Sequence, residues 1–368
     1  MTFPKRFLLV SLLLSIAVDA VHATSTQADE EADLEGLYQQ IDEAIAQSPQ
    51  YVAEREQDIS ACRDSLMMEK RADKRFPLAE KLFFLYQSYK NDSALHYAEV
   101  CISLADSLQR PDQKGRFRSL LAYQCSNSDL YAEAVEQLRM VDKSVLDEEG
   151  LCDYYNACMH LYGELGSYSR RPHVSKGYFD KQNLYRDSLL MITSEDSEHN
   201  LHLKMDILTG RRLYQDALDI NNRWLRVVEG GTHESAYAAF YRSMVYDKLK
   251  NHDMTCFWLG RSAIDDIKCA VMNQASLLFL ADHLANDGDI SRARRYVDFA
   301  KQCNLFFNPQ LRHYQVNAVV NVYKKSFQSS ENQLHTTLLV SAVVMVLLLL
   351  ALVYTIFKKK KQPTKQVP

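Results

Sequence analysis

The sequence is poor in the two residues that mark turns and loops. It contains 11 glycines and 8 prolines in 368 residues, roughly 3% and 2% where about 7% and 5% are usual. A large β-sandwich or a doubly wound sheet needs many tight turns and glycine-bearing loops, so the shortage excludes both. Hydrophobic residues make up 47% of the chain and charged residues 24%, which excludes general disorder. We therefore predict an all-α fold.

The local motifs of common enzymes and metal sites are also missing. GxxxxGK[ST], GxSxG, GxGxxG and HExxH are absent. His199 and His202 could share a helix face and hold a metal, but nothing near them completes a ligand set. The eight cysteines include no CxxC pair. We expect no enzymatic activity, no catalytic residue, no cofactor and no metal; an envelope enzyme with unrecognised catalytic residues is an alternative.

A basic surface is missing from the main part of the chain. The formal net charge of the whole sequence is −4. Residues 1–23 carry a balance of +1 and residues 358–368 a balance of +5, which leaves about −10 on residues 24–335. A body this acidic repels a phosphate backbone, and no basic stripe interrupts it. We therefore expect no nucleic acid among its partners.

Residues 1–23 have the pattern of a secretory signal peptide. The basic pair Lys5-Arg6 precedes an apolar run over residues 7–18, and Val21-His22-Ala23 offers a small-residue cleavage site. A first transmembrane helix is the alternative, but an apolar run of about twelve residues is too short to cross ~30 Å of hydrocarbon. We therefore predict that the mature chain is exported.

Residues 336–357 form a run of 22 uncharged residues, and four consecutive lysines follow it, starting at Lys358. At 1.5 Å per residue, a helix of this length measures roughly 33 Å and can cross a bilayer. Lysines beside a span favour the cytoplasmic side. We predict a single-pass protein of the cell membrane with a periplasmic body, a juxtamembrane linker over residues 326–335, a transmembrane helix over 336–357 and a basic cytoplasmic tail over 358–368.

Residues 277–300 follow the pattern of the tetratricopeptide repeat (TPR), a helical hairpin of about 34 residues. The residues at its pattern positions are Leu277, Leu280, Ala281, Leu284, Ala293, Val297 and Ala300, with Gly288-Asp289 at the turn. Residues 118–141 repeat the register with Leu121, Ala122, Cys125, Tyr131, Ala134, Leu138 and Val141. Weaker copies place the small residue of the second helix at Ala94, Ala217 and Cys256.

The small residue in each copy is a steric requirement, because it lets the second helix of a hairpin approach the first. The small residues of successive copies are Ala94, Ala134, Ala217, Cys256 and Ala293. The intervals between neighbouring members of this series are 40, 83, 39 and 37 residues. The interval of 83 spans two periods, with a degenerate repeat over residues 154–190 that contains the polar insert 167–177. Repeats in register indicate a helical solenoid.

The predicted body has two parts. Residues 24–76 form N-terminal helices, which Ser48-Pro49 is expected to break into two, and residues 77–325 form TPR-like repeats. The predicted fold is thus an all-α, TPR-like solenoid of helical hairpins, wound as a right-handed superhelix and followed by one C-terminal transmembrane helix.

Four stretches resemble a family of Bacteroidota proteins: AIAQSPQYVAEREQDI (44–59), NDSALHYAEV (91–100), SAIDDIKCAVMNQASL (262–277) and YVDFAKQCNLFFNPQLRHYQV (296–316). The similarity covers roughly residues 34–360. Its members are exported TPR proteins with one late membrane span and no assigned biochemical function. Longer relatives continue past the span into a cytoplasmic coiled-coil region that suggests regulation. This chain stops at Pro368, so we expect any such cytoplasmic output part to be missing.

The 21 tyrosines suggest a binding surface, because tyrosine provides amphipathic contact area at low entropic cost. In TPR hairpins the ligand-facing positions lie on the first helix. By the register above these are Tyr123 and Asn127 in one repeat, and Asp282 and Asn286 in another. We predict a membrane-anchored scaffold or sensor that binds a neutral or basic protein or peptide. The alternative is a regulator whose output comes from a membrane or cytoplasmic signalling partner.

The predicted topology can be tested with a reporter that is active only in the cytoplasm. The reporter should work when fused after Pro368 and fail when inserted near Asp196, because the lysine-rich tail stays inside. Activity at both positions, or the reverse pattern, would contradict the topology.

Overall fold

The computed structural model of the chain describes residues 33–308 and 313–360. The predicted signal peptide over 1–23 and the end of the basic tail lie outside these residues. Every regular element of the described residues is helical, and they contain no strand. Their eight cysteines are all free thiols. The all-α prediction is confirmed.

The described residues form fourteen α-helices and one 3₁₀ turn over Lys143–Val145. The helices are α1 (Leu34–Met68), α2 (Ala72–Gln87), α3 (Asn91–Ser107), α4 (Pro111–Ser126), α5 (Tyr131–Arg139), α6 (Glu148–Tyr168), α7 (Pro172–Ile192), α8 (Glu198–Gly210), α9 (Tyr214–Val227), α10 (His233–Lys248), α11 (His252–Lys268), α12 (Ala275–Asp287), α13 (Ile290–Phe307) and α14 (His313–Lys360). Helices α2 to α13 pair into six consecutive hairpins. The hairpin α6/α7 is the degenerate repeat, and its polar insert supplies the short turn between the two helices.

The turn inside four of the hairpins is built in the same way. A residue in the left-handed conformation, with φ between 60° and 95°, lies two positions before the second helix begins. These residues are Asp129, Arg212, Lys250 and Gly288. Since they fix a common starting point, they also fix the register of the four second helices.

The fourth residue of a second helix is small and buried in five of the hairpins. These residues are Ala94, Ala134, Ala217, Thr255 and Ala293. In α11 this register selects Thr255 and not Cys256, one residue further on, to which the sequence pattern assigned the role. Both are buried, and the sulfur of Cys256 lies 3.6 Å from Nε2 of His252 on the same helix. The other predicted packing residues, Leu121, Ala122, Leu280, Ala281 and Ala300, are buried as well.

Helix α1 differs from the prediction, since it runs without interruption through Pro49. A proline inside a helix removes one hydrogen bond and costs about 3 kcal/mol. The helix persists because apolar residues on both sides of the proline are buried, Ile41 and Ala44 before it and Ile59 after it. Tertiary packing thus outweighs the local preference. The predicted boundary at residues 76 and 77 also falls inside a helix, because α2 begins at Ala72.

The two halves of α1 belong to two different hydrophobic clusters. Its first half contributes Leu37 and Ile41 to a cluster with α11 to α14, and its second half contributes Ile59 and Leu66 to a cluster with α2 and α3. A helix of 35 residues measures roughly 52 Å, long enough to reach both. The repeat array therefore closes on itself.

Direct contacts between the first and last hairpins complete this closure. The backbone amide of Met272 donates to the carbonyl of Ser88 at 2.9 Å. The rings of Tyr89 and Phe306 lie 5.2 Å apart. Arg55 of α1 donates from its two terminal nitrogens to the carbonyls of Leu85 and Cys269, 214 residues further along the chain. The hairpins consequently surround a central space.

Helix α14 continues from the repeats into the apolar run. Ala318, Val319 and Val322 are buried against α12 and α13, whereas the helix is exposed from Phe327 through Thr355, apart from partly buried Ser329. The predicted linker over residues 326–335 is helical, because no glycine or proline interrupts it. Among the described residues, one helix is long and apolar enough to cross a membrane (Val316–Thr355), and its most apolar window is wholly unburied.

Ala134→Leu should overpack the α4/α5 hairpin, since Ala134 has no exposed surface. We expect a loss of on the order of 1–3 kcal/mol in the free energy of unfolding, measured by denaturant titration of the full chain in detergent. Ala132→Leu is the matched control, because Ala132 is exposed on the same helix. Equal losses in the two variants would contradict the register.

Candidate functional site

The ring of hairpins encloses two adjoining cavities of about 840 and 480 Å³. The larger lies between α2, α4, α10, α11 and α12, and the smaller extends over α6, α7, α8 and α9. Their shared lining residues are Tyr123, His160, Glu164, His233, Glu234, Tyr237 and Tyr241. Because they share these residues, we treat the two as one site, the central cavity.

One wall of the central cavity is aromatic. Tyr237 and Tyr241 lie one turn apart on α10, with their hydroxyl oxygens 3.2 Å apart. The ring of His202, from α8, lies 4.3 Å from the Tyr241 ring and 5.2 Å from that of fully buried Trp224. Burial lowers the pKa of His202 to about 3, so its imidazole is neutral at physiological pH. The neutral ring completes an apolar platform.

The opposite wall is formed by α4 and α6. The rings of Tyr123 and His160 lie 4.5 Å apart, and Nδ1 of His160 lies 2.9 Å from the hydroxyl oxygen of Ser126. Asn127 follows α4 as its C-cap residue and lines the larger cavity. The structure thus places both members of the first predicted pair, Tyr123 and Asn127, on the cavity wall.

Carboxylates outnumber arginines around the cavity. Five carboxylates line it, and the two arginines are Arg55 and Arg186. The carboxylates are those of Glu164, Glu198, Asp206, Glu234 and Asp266. Burial raises the pKa values of Glu198 and Asp206 above their usual range. Arg55 already binds two backbone carbonyls.

A histidine–aspartate pair joins α10 to α11 at the edge of the cavity. Nδ1 of His233 lies 2.7 Å from a carboxylate oxygen of Asp266. Burial disfavours the charge on His233, but the hydrogen bond with Asp266 and its negative charge together raise the pKa of the imidazole. The hydroxyl of Ser235 donates to Asp265 at 2.7 Å. These bonds fix the orientation of α10, which carries Tyr237 and Tyr241.

The second predicted pair lies elsewhere. Asn321 of α14 donates a hydrogen bond to the carboxylate of Asp282, and the ammonium group of Lys325 donates to the side-chain oxygen of Asn286. Neither Asp282 nor Asn286 lines the central cavity. The structure therefore does not bring the two predicted pairs together, because helix α14 covers the face of α12 that the repeat register leaves open.

Sequence reasoning missed most of the aromatic wall. Tyr237 and Tyr241 are four residues apart, a spacing that places them on one helix face and could have identified them. The sequence suggested His202 as a possible metal ligand, whereas in the structure its ring packs against the rings of Trp224 and Tyr241. The sequence does not show which face of each helix is directed toward the inside of the closed ring.

The family model described as the SusR N-terminal TPR domain matches residues 45–318, about three quarters of the chain. The matched range begins inside α1 and ends inside α14, so it contains all six hairpins around the cavity. No curated protein matches the chain.

The lowered pKa of His202 predicts a pH effect on stability. The unfolded histidine has a pKa of about 6.5, so between pH 6.5 and about 3 the unfolded chain binds a proton that the folded chain does not. Stability therefore falls as the pH falls through this window, by up to about 1.4 kcal/mol per pH unit.

His202→Gln should remove this contribution. We expect the difference in unfolding free energy between wild type and His202→Gln to shrink from pH 6.5 to pH ~4.5, measured by denaturant titration. His96→Gln, on the exposed face of α3, is the control and should follow the wild type. Parallel pH profiles for wild type and His202→Gln would contradict the assignment.

Proposed function

The chain belongs to the family of SusR N-terminal TPR domains, and from this membership and the central cavity we propose that it is a membrane-anchored, extracytoplasmic binding domain. Its proposed ligand is a short, neutral or basic peptide segment of a protein partner. TPR domains generally mediate protein–protein interactions, which supports a protein partner. The observation that carries the proposal is a cavity that combines aromatic rings with an excess of carboxylates.

The lining chemistry supports a basic segment. Tyr237 is 37% exposed although its helix is packed on one side, and Glu234 is exposed on the same helix. A lysine or arginine side chain over a tyrosine ring gains about 0.5–2 kcal/mol from the cation–π interaction. The carboxylate of Glu234 adds an attraction that salt screens. A basic side chain entering the cavity would meet both.

The size of the cavity supports a short segment. Its two parts measure about 840 and 480 Å³, within or near the range of about 300–1,000 Å³ typical of small-ligand sites. A folded partner domain is far larger, so a partner would have to present a loop or a terminus. This differs from the shallow, distributed contacts that an open solenoid offers.

The contacts of three histidines in the cavity support a binding role over a catalytic role. His202 packs against Trp224 and Tyr241, His233 holds Asp266, and His160 contacts Tyr123. Each of these imidazoles thus has a structural partner. His160 also lies 2.9 Å from the hydroxyl oxygen of Ser126, but Ser126 is fully buried and does not line the cavity. The proposal therefore assigns no chemical step to the site.

A second candidate role is signal transmission across the membrane. Helix α14 contacts α12 and α13 through its first part and continues unbroken to Lys360. A change in the ring on ligand binding would therefore reach the lysine-rich tail through one rigid element. In this role a cytoplasmic or membrane partner supplies the output.

The proposal is tested by photo-crosslinking in intact cells. A photoreactive residue in place of Tyr237 of the full chain should capture a discrete partner, because this side chain faces the cavity. The same residue in place of Glu133, exposed on the outside of the ring, should not. A further probe at Gln362 reports whether a cytoplasmic protein contacts the tail.

Charge selectivity is tested on the purified full chain with an array of short peptides of graded charge. Binding should strengthen with positive charge and weaken with salt, and Glu234→Gln should weaken it by roughly threefold to tenfold. Glu133→Gln is the matched control and should leave affinity unchanged. Binding that is absent, or that ignores charge and Glu234→Gln alike, would contradict the proposed ligand class.

A further inference from the structure

A group of metal-ligating side chains lies outside the central cavity, between α11 and α12. His252 and Cys256 are one turn apart on α11, and His283 faces them from α12. One potential ligand atom from each of the three lies within 4.8 Å of the others. The Cys256 sulfur is 3.6 Å from Nε2 of His252, and the rings of His252 and His283 are 5.3 Å apart.

A fourth donor lies beside this group. Asp287 follows His283 by one turn on α12, and its carboxylate oxygen Oδ2 lies 2.7 Å from Nε2 of His252. Each of the two helices therefore contributes a pair of ligands spaced four residues apart, which places both members on one face. Two such pairs facing each other form a four-donor set.

The distance between the sulfur of Cys256 and the nitrogen of His252 agrees with a tetrahedral zinc site. Zinc–sulfur and zinc–nitrogen bonds of about 2.3 and 2.1 Å, opened at the tetrahedral angle, put sulfur and nitrogen roughly 3.6 Å apart. The separation between Cys256 Sγ and His252 Nε2 has this value. Thiolate, imidazole and carboxylate together suit zinc and do not suit magnesium or calcium, which prefer oxygen alone.

We propose that His252, Cys256 and His283 bind one zinc ion, with Asp287 as the fourth ligand. On binding, the thiol of Cys256 loses its proton to solvent, and Nε2 of His252 exchanges its contact with Asp287 for the ion. The ion can enter from solvent, because the side chains of His252 and Asp287 are 43% and 46% exposed. Cys256 itself is fully buried and closes the inner side.

The site adjoins the closure of the ring. Tyr38, on α1, and Cys256 belong to the same buried cluster, and the guanidinium group of Arg292 lies over the Tyr38 ring. An ion that joins α11 to α12 here holds the surface on which the first half of α1 packs. Zinc therefore acts as a structural clamp of the closed ring and is independent of the ligand in the central cavity.

The test uses the full chain, purified in detergent without a polyhistidine tag and freed of metal. Zinc titration against a chromophoric chelator should give one ion per chain with a Kd below ~1 μM. At a zinc concentration of about 100 times Kd, the unfolding temperature should rise by roughly 5 °C. Cobalt in place of zinc should show a thiolate-to-metal charge-transfer band, which Cys256→Ser abolishes.

Variants assign the ion to these residues. His252→Gln and His283→Gln should each weaken zinc binding at least tenfold, whereas His96→Gln and Cys303→Ser, outside the site, should not. His252 is partly exposed, so His252→Gln should fold, and its helical circular dichroism checks this. Failure of the wild type to bind zinc at ~100 μM would overturn the proposal. Unchanged zinc affinity in both histidine variants would also overturn it, as would a loss of zinc binding that occurs only in His199→Gln.

Discussion

The simultaneous packing of α1 on both ends of the repeat array is the constraint on which the rest of the structure depends. Its first half lies against α11, and its second half lies against α2. The contact with α11 is close, since a Cβ atom on Gly260 would lie 2.5 Å from a methyl carbon of Leu37. A side chain at position 260 would require the Leu37 side chain to shift. Together with the direct contacts between the first and last hairpins, the packing of α1 closes the ring around the central cavity.

The closed ring has one thin joint. The hairpins α6/α7 and α8/α9 touch little, and the hydrophobic cluster that contains α2 to α6 does not extend into the small cluster of α8 to α10. The smaller part of the cavity lies over this joint and is lined by Gln182 and Arg186 on one side and by His199 on the other. A ligand there would bridge two parts of the ring that otherwise share few apolar contacts.

The candidate site was predictable only in part. Tyr123 and Asn127 follow from the TPR register, because the first helix of a hairpin turns a fixed face toward the concave side. The same rule selects Asp282 and Asn286, and it fails there since α14 packs on that face and takes up both side chains. The repeat pattern in the sequence does not predict where a helix outside the repeat array, such as α14, will pack. The neutral state of His202 likewise depends on rings from α9 and α10.

The sequence by itself determined the helical class, the hairpin register and the apolar segment after the repeats, because helix periodicity, small residues at fixed spacing and unbroken hydrophobic runs are local properties. Only the tertiary structure decided that α1 passes through Pro49, that residues 326–335 are helical, that Thr255 holds the register position, and that the ring closes. These outcomes depend on contacts between distant residues, such as the ion pair of Glu35 with Arg292, 257 positions apart. Such pairings leave no periodic trace in a single sequence, since the free energy of burying α1 against both ends exists only once both ends have folded.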